Sequence, residues 1–93
     1  MTIEQILHCI IETGKKYNCR EIYLFGSRAK NTNRERSDID IAVVGAVDFE
    51  LLRDEVEQIP TLYTIDLVNM DTCGNKLLLE DIKTYGRKIY EAI

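Results

Sequence analysis

The spacing of apolar positions changes several times along the chain, and each change predicts an element. Ile3, Ile6, Leu7, Ile10 and Ile11 recur at the spacing of one helical face, behind a Thr2/Gln5 pair that matches a capping box. A helix is expected to about Lys16, with Gly14 and Asn18 at its end. EIYLF, residues 21–25, is β-branched and aromatic and stops at Gly26, the pattern of a buried strand. The polar stretch KNTNRERS, residues 30–37, predicts a surface loop. A second strand is expected from Asp38 to Val44, ended by Gly45. Phe49, Leu52, Val56 and Ile59 then restore a helical rhythm from Asp48 until Pro60 closes it. YTIDLVN reads as a third strand. Leu77, Leu78 and Ile82 give the apolar side of a further helix, for which Asp71 is the expected cap and Gly86 the end. RKIYEAI reads as a short terminal strand or a frayed helix.

This order predicts an α/β (α+β) fold, a small mixed β-sheet with helices packed mainly on one side. At 93 residues the chain has room for one domain, 1–93, and little for a second lobe. With 45% hydrophobic and 30% charged residues, disordered and fibrous classes are disfavoured. A formal charge of −4 supplies no diffuse attraction to polymeric nucleic acid, which is therefore an unfavoured partner. Glu4 stands where a signal peptide is basic, and no apolar run nears the roughly 20 residues of a membrane span, so a cytoplasmic protein without membrane contact is expected. Cys9, Cys19 and Cys73 form an odd set with no C-x-x-C pair, and they read as reduced thiols. The lone His8 reads as a surface or interface residue.

The chemistry concentrates where apolar and acidic residues alternate. Asp38 and Asp40 flank Ile39 and precede Ile41, Ala42, Val43 and Val44, so each carboxylate faces a desolvation cost that something must offset. Alternation along a strand sends both aspartates to one face and Ile39, Ile41 and Val43 to the other, with the aspartate Cα atoms about 6.6–6.8 Å apart. Carboxylates so spaced suit a hard divalent cation. Magnesium is favoured because it takes one or two carboxylates and fills its shell with water and substrate phosphates. Ile65-Asp66-Leu67 repeats the pattern. Beside the Asp38 strand, Asp66 would join the cluster to bridge a metal or to orient and deprotonate an attacking hydroxyl. Asp48, Asp54, Asp71 and Asp81 lack this flanking and read as caps or solvated charges.

Gly26-Ser27 supplies the complementary half, since a glycine after a strand permits close approach of a phosphate to the backbone. Arg28, Lys30, Arg34 and Arg36 form a basic rim with Arg28 nearest the pocket, although solvated loop charge is the first reading of the others. Tyr63, Tyr85 and Tyr90 read first as edge-of-core packing and second as stacking partners for a base.

Strand, Gly-Ser, ten residues, Asp-x-Asp in a strand and a later isolated strand aspartate together resemble the nucleotidyltransferase superfamily that includes DNA polymerase beta, in its minimal single-domain form. GSRAK and SDIDIAV match the Gly-Ser and paired-Asp motifs, and IDLV looks like the strand of the third carboxylate. Lys30 and Asn31 depart from the usual Gly-Ser-Arg-Ala-Arg-Gly.

The resemblance implies that Gly26, Ser27 and Arg28 bind the nucleoside triphosphate and that Asp38 and Asp40 bind two magnesium ions. It implies that Asp66 completes a catalytic and metal-binding triad. Members this short resemble the nucleotidyltransferase half of two-gene modules whose other half is a helical HEPN protein. The implied reaction is transfer of AMP from ATP to a hydroxyl, a tyrosine of that toxin partner, with the small protein acting as antitoxin in a homo- or hetero-oligomer. Two alternatives stand beside it: a binding subunit that neutralises or scaffolds its partner by contact alone, and a transferase acting on a small molecule.

Overall fold

The computed structural model describes residues 1–32 and 38–93. Its elements are α1 (Ile3–Lys16), β1 (Glu21–Phe25), β2 (Ile39–Val44), α2 (Phe49–Glu57), β3 (Ile65–Asn69), α3 (Lys76–Tyr85) and β4 (Arg87–Glu91). The strands form one mixed sheet in the order β3-β2-β1-β4. β1 runs antiparallel to both β2 and β4, whereas β2 and β3 are parallel. A parallel neighbour cannot be reached by a tight turn, and α2 is the crossover that joins the pair.

Local chemistry sets the helix boundaries. The Thr2 backbone N–H donates to Gln5 Oε1 at 2.8 Å and the Gln5 N–H donates to Thr2 Oγ1 at 3.1 Å, closing the expected capping box. Asp48 Oδ1 accepts the Leu51 N–H at 3.2 Å and so starts α2. The cap of α3 is Asn75, whose Oδ1 accepts the Leu78 N–H at 3.1 Å, not Asp71 as expected. Asp71 is turned toward the end of β2, where its Oδ2 accepts the Gly45 N–H at 2.7 Å. Residues 87–91 take the strand alternative because β1 still has an open edge, which β4 fills.

The sheet separates two apolar clusters. Ile6 and Ile10 of α1 and Leu52 and Val56 of α2 pack with Ile22, Leu24, Ile39, Ile41 and Val43, all of them buried. Ile65 and Leu67 border this cluster from β3. On the opposite face Phe25, Ala42 and Ile82 make a smaller cluster under α3. Helices thus lie mainly on one side, as the order of elements predicted, and α3 covers part of the other. Among the described residues no helix is long and apolar enough to cross a membrane.

Candidate active site

The face that carries Ala42 also carries Asp40 and Asp66. The two are register partners across the parallel β2–β3 pair, flanked by Ile39/Ile41 and Ile65/Leu67 that face the larger core. The adjacency assumed in the sequence reading is therefore present, and neighbouring strands bring backbones to about 4.8 Å. Asp38 stands one residue before β2 rather than inside it, exposed, where the Ile39 N–H donates to Thr64 O at 2.9 Å. Asp40 is half-buried and Asp66 exposed. Burial pushes the Asp40 carboxyl above its ordinary range, the charges of Asp66 and then Asp38 push the same way, and Arg28 opposes them. Three negative groups thus share one neighbourhood, with Asp40 as its least solvated member.

Gly26 occupies a place that requires glycine for two reasons. Its φ is +72°, and a Cβ built there would strike Asp40 Oδ2 and lie 3.2 Å from Asp40 Cγ. β1 pairs Phe25 with Asp40, so the residue after Phe25 passes directly beside that carboxylate. The sequence reading assigned the missing side chain to phosphate approach; the structure adds the carboxylate as the neighbour that excludes one.

From Gly26 the chain makes one helical turn. The Lys30 N–H donates to Gly26 O at 3.3 Å, and the Thr32 N–H donates to Ser27 O at 2.9 Å. Asn31 closes the turn at φ +57°, the left-handed position usually taken by glycine. The departure from glycine at this position is thus absorbed, because asparagine tolerates that conformation better than most residues.

Arg28 reaches across the site. Its guanidinium carbon lies 5.1 Å from the centroid of the Tyr63 ring, and its charge acts on Asp40. Tyr63 also borders the larger core, so its packing role and its contact with Arg28 coexist. A surface cavity of about 330 Å³ opens beside Asp66, with Tyr63 and Thr64 in its wall. Lys30 turns instead toward α3, where its Nζ lies 3.0 Å from Asp81 Oδ1 and 4.9 Å from the Tyr85 ring centroid. Arg34 and Arg36 lie outside the described residues.

Gly26, Arg28, Asp38, Asp40 and Asp66 are brought together, with Ser27 in the adjoining turn. As placed, the three carboxylates do not converge on a common point: among the described residues no group of three or more His, Cys, Asp or Glu side chains could hold a metal ion. The donor set nevertheless fits a hard divalent cation, being all oxygen and carrying a central carboxyl disfavoured by its like-charged neighbours. Asp81 and Tyr85 were missed as neighbours of the loop. Nothing in the local sequence pairs Lys30 with residues more than 50 positions away.

Comparison with known proteins agrees with this geometry. The family described as Polymerase beta, Nucleotidyltransferase matches residues 8–92. No curated protein matches the chain. Among solved structures, the chain is similar to a form of the MntA–HpeT toxin–antitoxin pair with two Asp-to-Glu substitutions two positions apart. The identity is 28% and the TM-score 0.70, over 89% of this chain and 71% of that one. A toxin–antitoxin structure with AMP-PNP aligns at 26% identity and TM-score 0.71, over 98% and 75%. A Tyr-to-Ala variant of MntA–HpeT aligns at 25% identity and TM-score 0.67, over 99% and 75%.

Proposed function

The chain belongs to the polymerase beta nucleotidyltransferase family, and from that premise we propose that it transfers AMP from ATP to a tyrosine hydroxyl of a helical HEPN-type toxin, thereby acting as its antitoxin. The observation that carries the reading is the pairing of Asp40 with Asp66 across β2–β3, beside a glycine whose missing side chain leaves room for Asp40. The toxin–antitoxin setting is taken from the similar structures, one of which holds AMP-PNP.

In this reading Asp38, Asp40 and Asp66 would hold two magnesium ions, which would supply charge neutralisation for the triphosphate and for the leaving pyrophosphate. Gly26 and Ser27 offer the turn to the phosphates, and Arg28 adds positive charge beside Asp40. The phenol oxygen forms a bond to the α-phosphorus. The bond from that phosphorus to the bridging oxygen breaks, and pyrophosphate leaves with the electron pair. Asp66, next to the cavity, accepts the phenolic proton. The partner supplies the acceptor, in keeping with the toxin–antitoxin setting of the similar structures.

Incubation of the purified chain with the helical product of the neighbouring gene tests this. Label on the α-phosphate of ATP should pass to the partner, and label on the γ-phosphate should not. Transfer of neither label under varied metal and nucleotide conditions rejects catalysis on that acceptor.

A second reading is neutralisation by contact alone, which the toxin–antitoxin setting of the similar structures equally allows. A folded Asp38→Asn/Asp40→Asn variant separates the two, since toxin neutralisation is lost if transfer is required and persists if contact suffices.

A further inference from the structure

We propose that Lys30 is a positioning residue: clamped between Asp81 and Tyr85 of α3, it docks the Gly26–Asn31 turn onto the helix and so holds Gly26 and Ser27 beside Asp40 before nucleotide arrives. This rests on the reading of that turn as the triphosphate site. The turn's internal bonds run from Lys30 N–H to Gly26 O and from Thr32 N–H to Ser27 O, with Thr32 Oγ1 also donating to Ser27 O at 3.4 Å. These fix its shape but not its place relative to the sheet. β1 anchors its beginning, Arg28 ties its middle to Tyr63 and Asp40, and the Lys30 side chain anchors its far end to α3. The single ammonium makes an ion pair at 3.0 Å and a cation–π contact at 4.9 Å.

Asp81 and Tyr85 are one helical turn apart on α3, so they present one face to the loop. Both continue from the layer in which Ile82 is fully buried against Phe25 and Ala42. The chain of contacts thus runs from the loop through Lys30 to α3, and from α3 back to the strand residues on either side of the site. The compact ammonium meets a carboxylate and a ring face together.

The ion pair is partly exposed, with side-chain exposures of 40% and 34%, so its loss should change a local equilibrium only several-fold. Lys30→Met keeps the stem and removes the charge, Asp81→Asn removes the partner without touching the loop, and Lys30→Arg keeps the charge. In nucleotide-free protein, hydrogen exchange of the Thr32 amide should rise about three- to ten-fold in Lys30→Met and in Asp81→Asn, and stay near wild type in Lys30→Arg. The KM for ATP should rise by a similar factor with kcat unchanged. The Lys30→Met/Asp81→Asn double variant should be no worse than Lys30→Met alone.

Wild-type exchange and KM in both single variants would overturn the inference. Altered exchange in a wild-type-like series that nevertheless binds no ATP would leave the docking in place and remove the nucleotide reading instead. A double variant equal to the sum of its parts would show that Lys30 and Asp81 act separately, contrary to the clamp.

Discussion

The two faces of β2 receive the same backbone and opposite chemistry. Toward α1 and α2 it sends Ile39, Ile41 and Val43, with 0%, 0% and 1% exposure, into a continuous core. Toward the other side it sends Asp40 and Ala42, the first held among like charges, the second under the small cluster at α3. One face stabilises the fold by removing hydrocarbon from water. The other holds Asp40, whose ionised form is disfavoured by burial and by the charges of Asp66 and Asp38. A strand of six residues can do both because its side chains alternate.

The largest effect should come from breaking the apolar face. Ile41→Ala leaves a cavity in the centre of the sheet and should cost about 2–5 kcal/mol in denaturant unfolding, a large fraction of the stability of a small domain. Gly26→Ala attacks the boundary between the faces, combining a strained φ with a collision against Asp40. It should cost about 1–3 kcal/mol and weaken ATP binding at once, as calorimetry on the folded fraction would show.

Asp40→Asn sharpens the contrast, because activity and stability should move in opposite directions. AMP transfer should fall at least ~100-fold, as expected when several kcal/mol of transition-state charge stabilisation are lost. The metal-free protein should melt a few degrees higher (~2–5 °C), since a repelled, half-buried charge is gone.

The smallest effect concerns acid titration of the two faces. Glu55 of α2 accepts from Lys16 Nζ at 2.6 Å and Tyr17 Oη at 3.0 Å, and these contacts hold its carboxyl below the ordinary range. Its contribution is present above the unfolded carboxylate value and is lost as pH falls through the lower folded one. Asp40 has the opposite sign: the folded state holds its proton more tightly, so its contribution to stability declines as pH rises from the ordinary carboxylate value through the raised one. In unfolding measured against pH, Glu55→Gln should flatten the acid loss and Asp40→Asn should remove the decline above it.

Much of this was legible because alternation is a local signal. Ile39, Ile41 and Val43 against Asp38 and Asp40 announced two faces, and Ile65-Asp66-Leu67 announced a second strand of the same kind. The capping box of α1 and the Asp48 cap of α2 were equally local. The start of α3 was misread because Asp71 and Asn75 are both competent caps, and a distant demand, the Gly45 N–H, decided between them. The link from Lys30 to Asp81 and Tyr85 was hidden for the same reason, since it exists only once α3 has crossed to the second face. Pairing of Asp40 with Asp66 was an assumption until the sheet order placed β3 beside β2.

In the proposed reaction the carboxylate face of β2 and β3 takes up a divalent metal with ATP. Backbone amide spectra recorded while manganese and ATP are titrated into the protein test it residue by residue. Paramagnetic broadening should centre on Gly26, Ser27, Asp38, Asp40 and Asp66 and spare Ile6, Ile10 and Leu52 on the opposite side of the sheet. Broadening spread over exposed acidic residues such as Glu4, Glu50 and Glu80, with those five signals sharp, would contradict it.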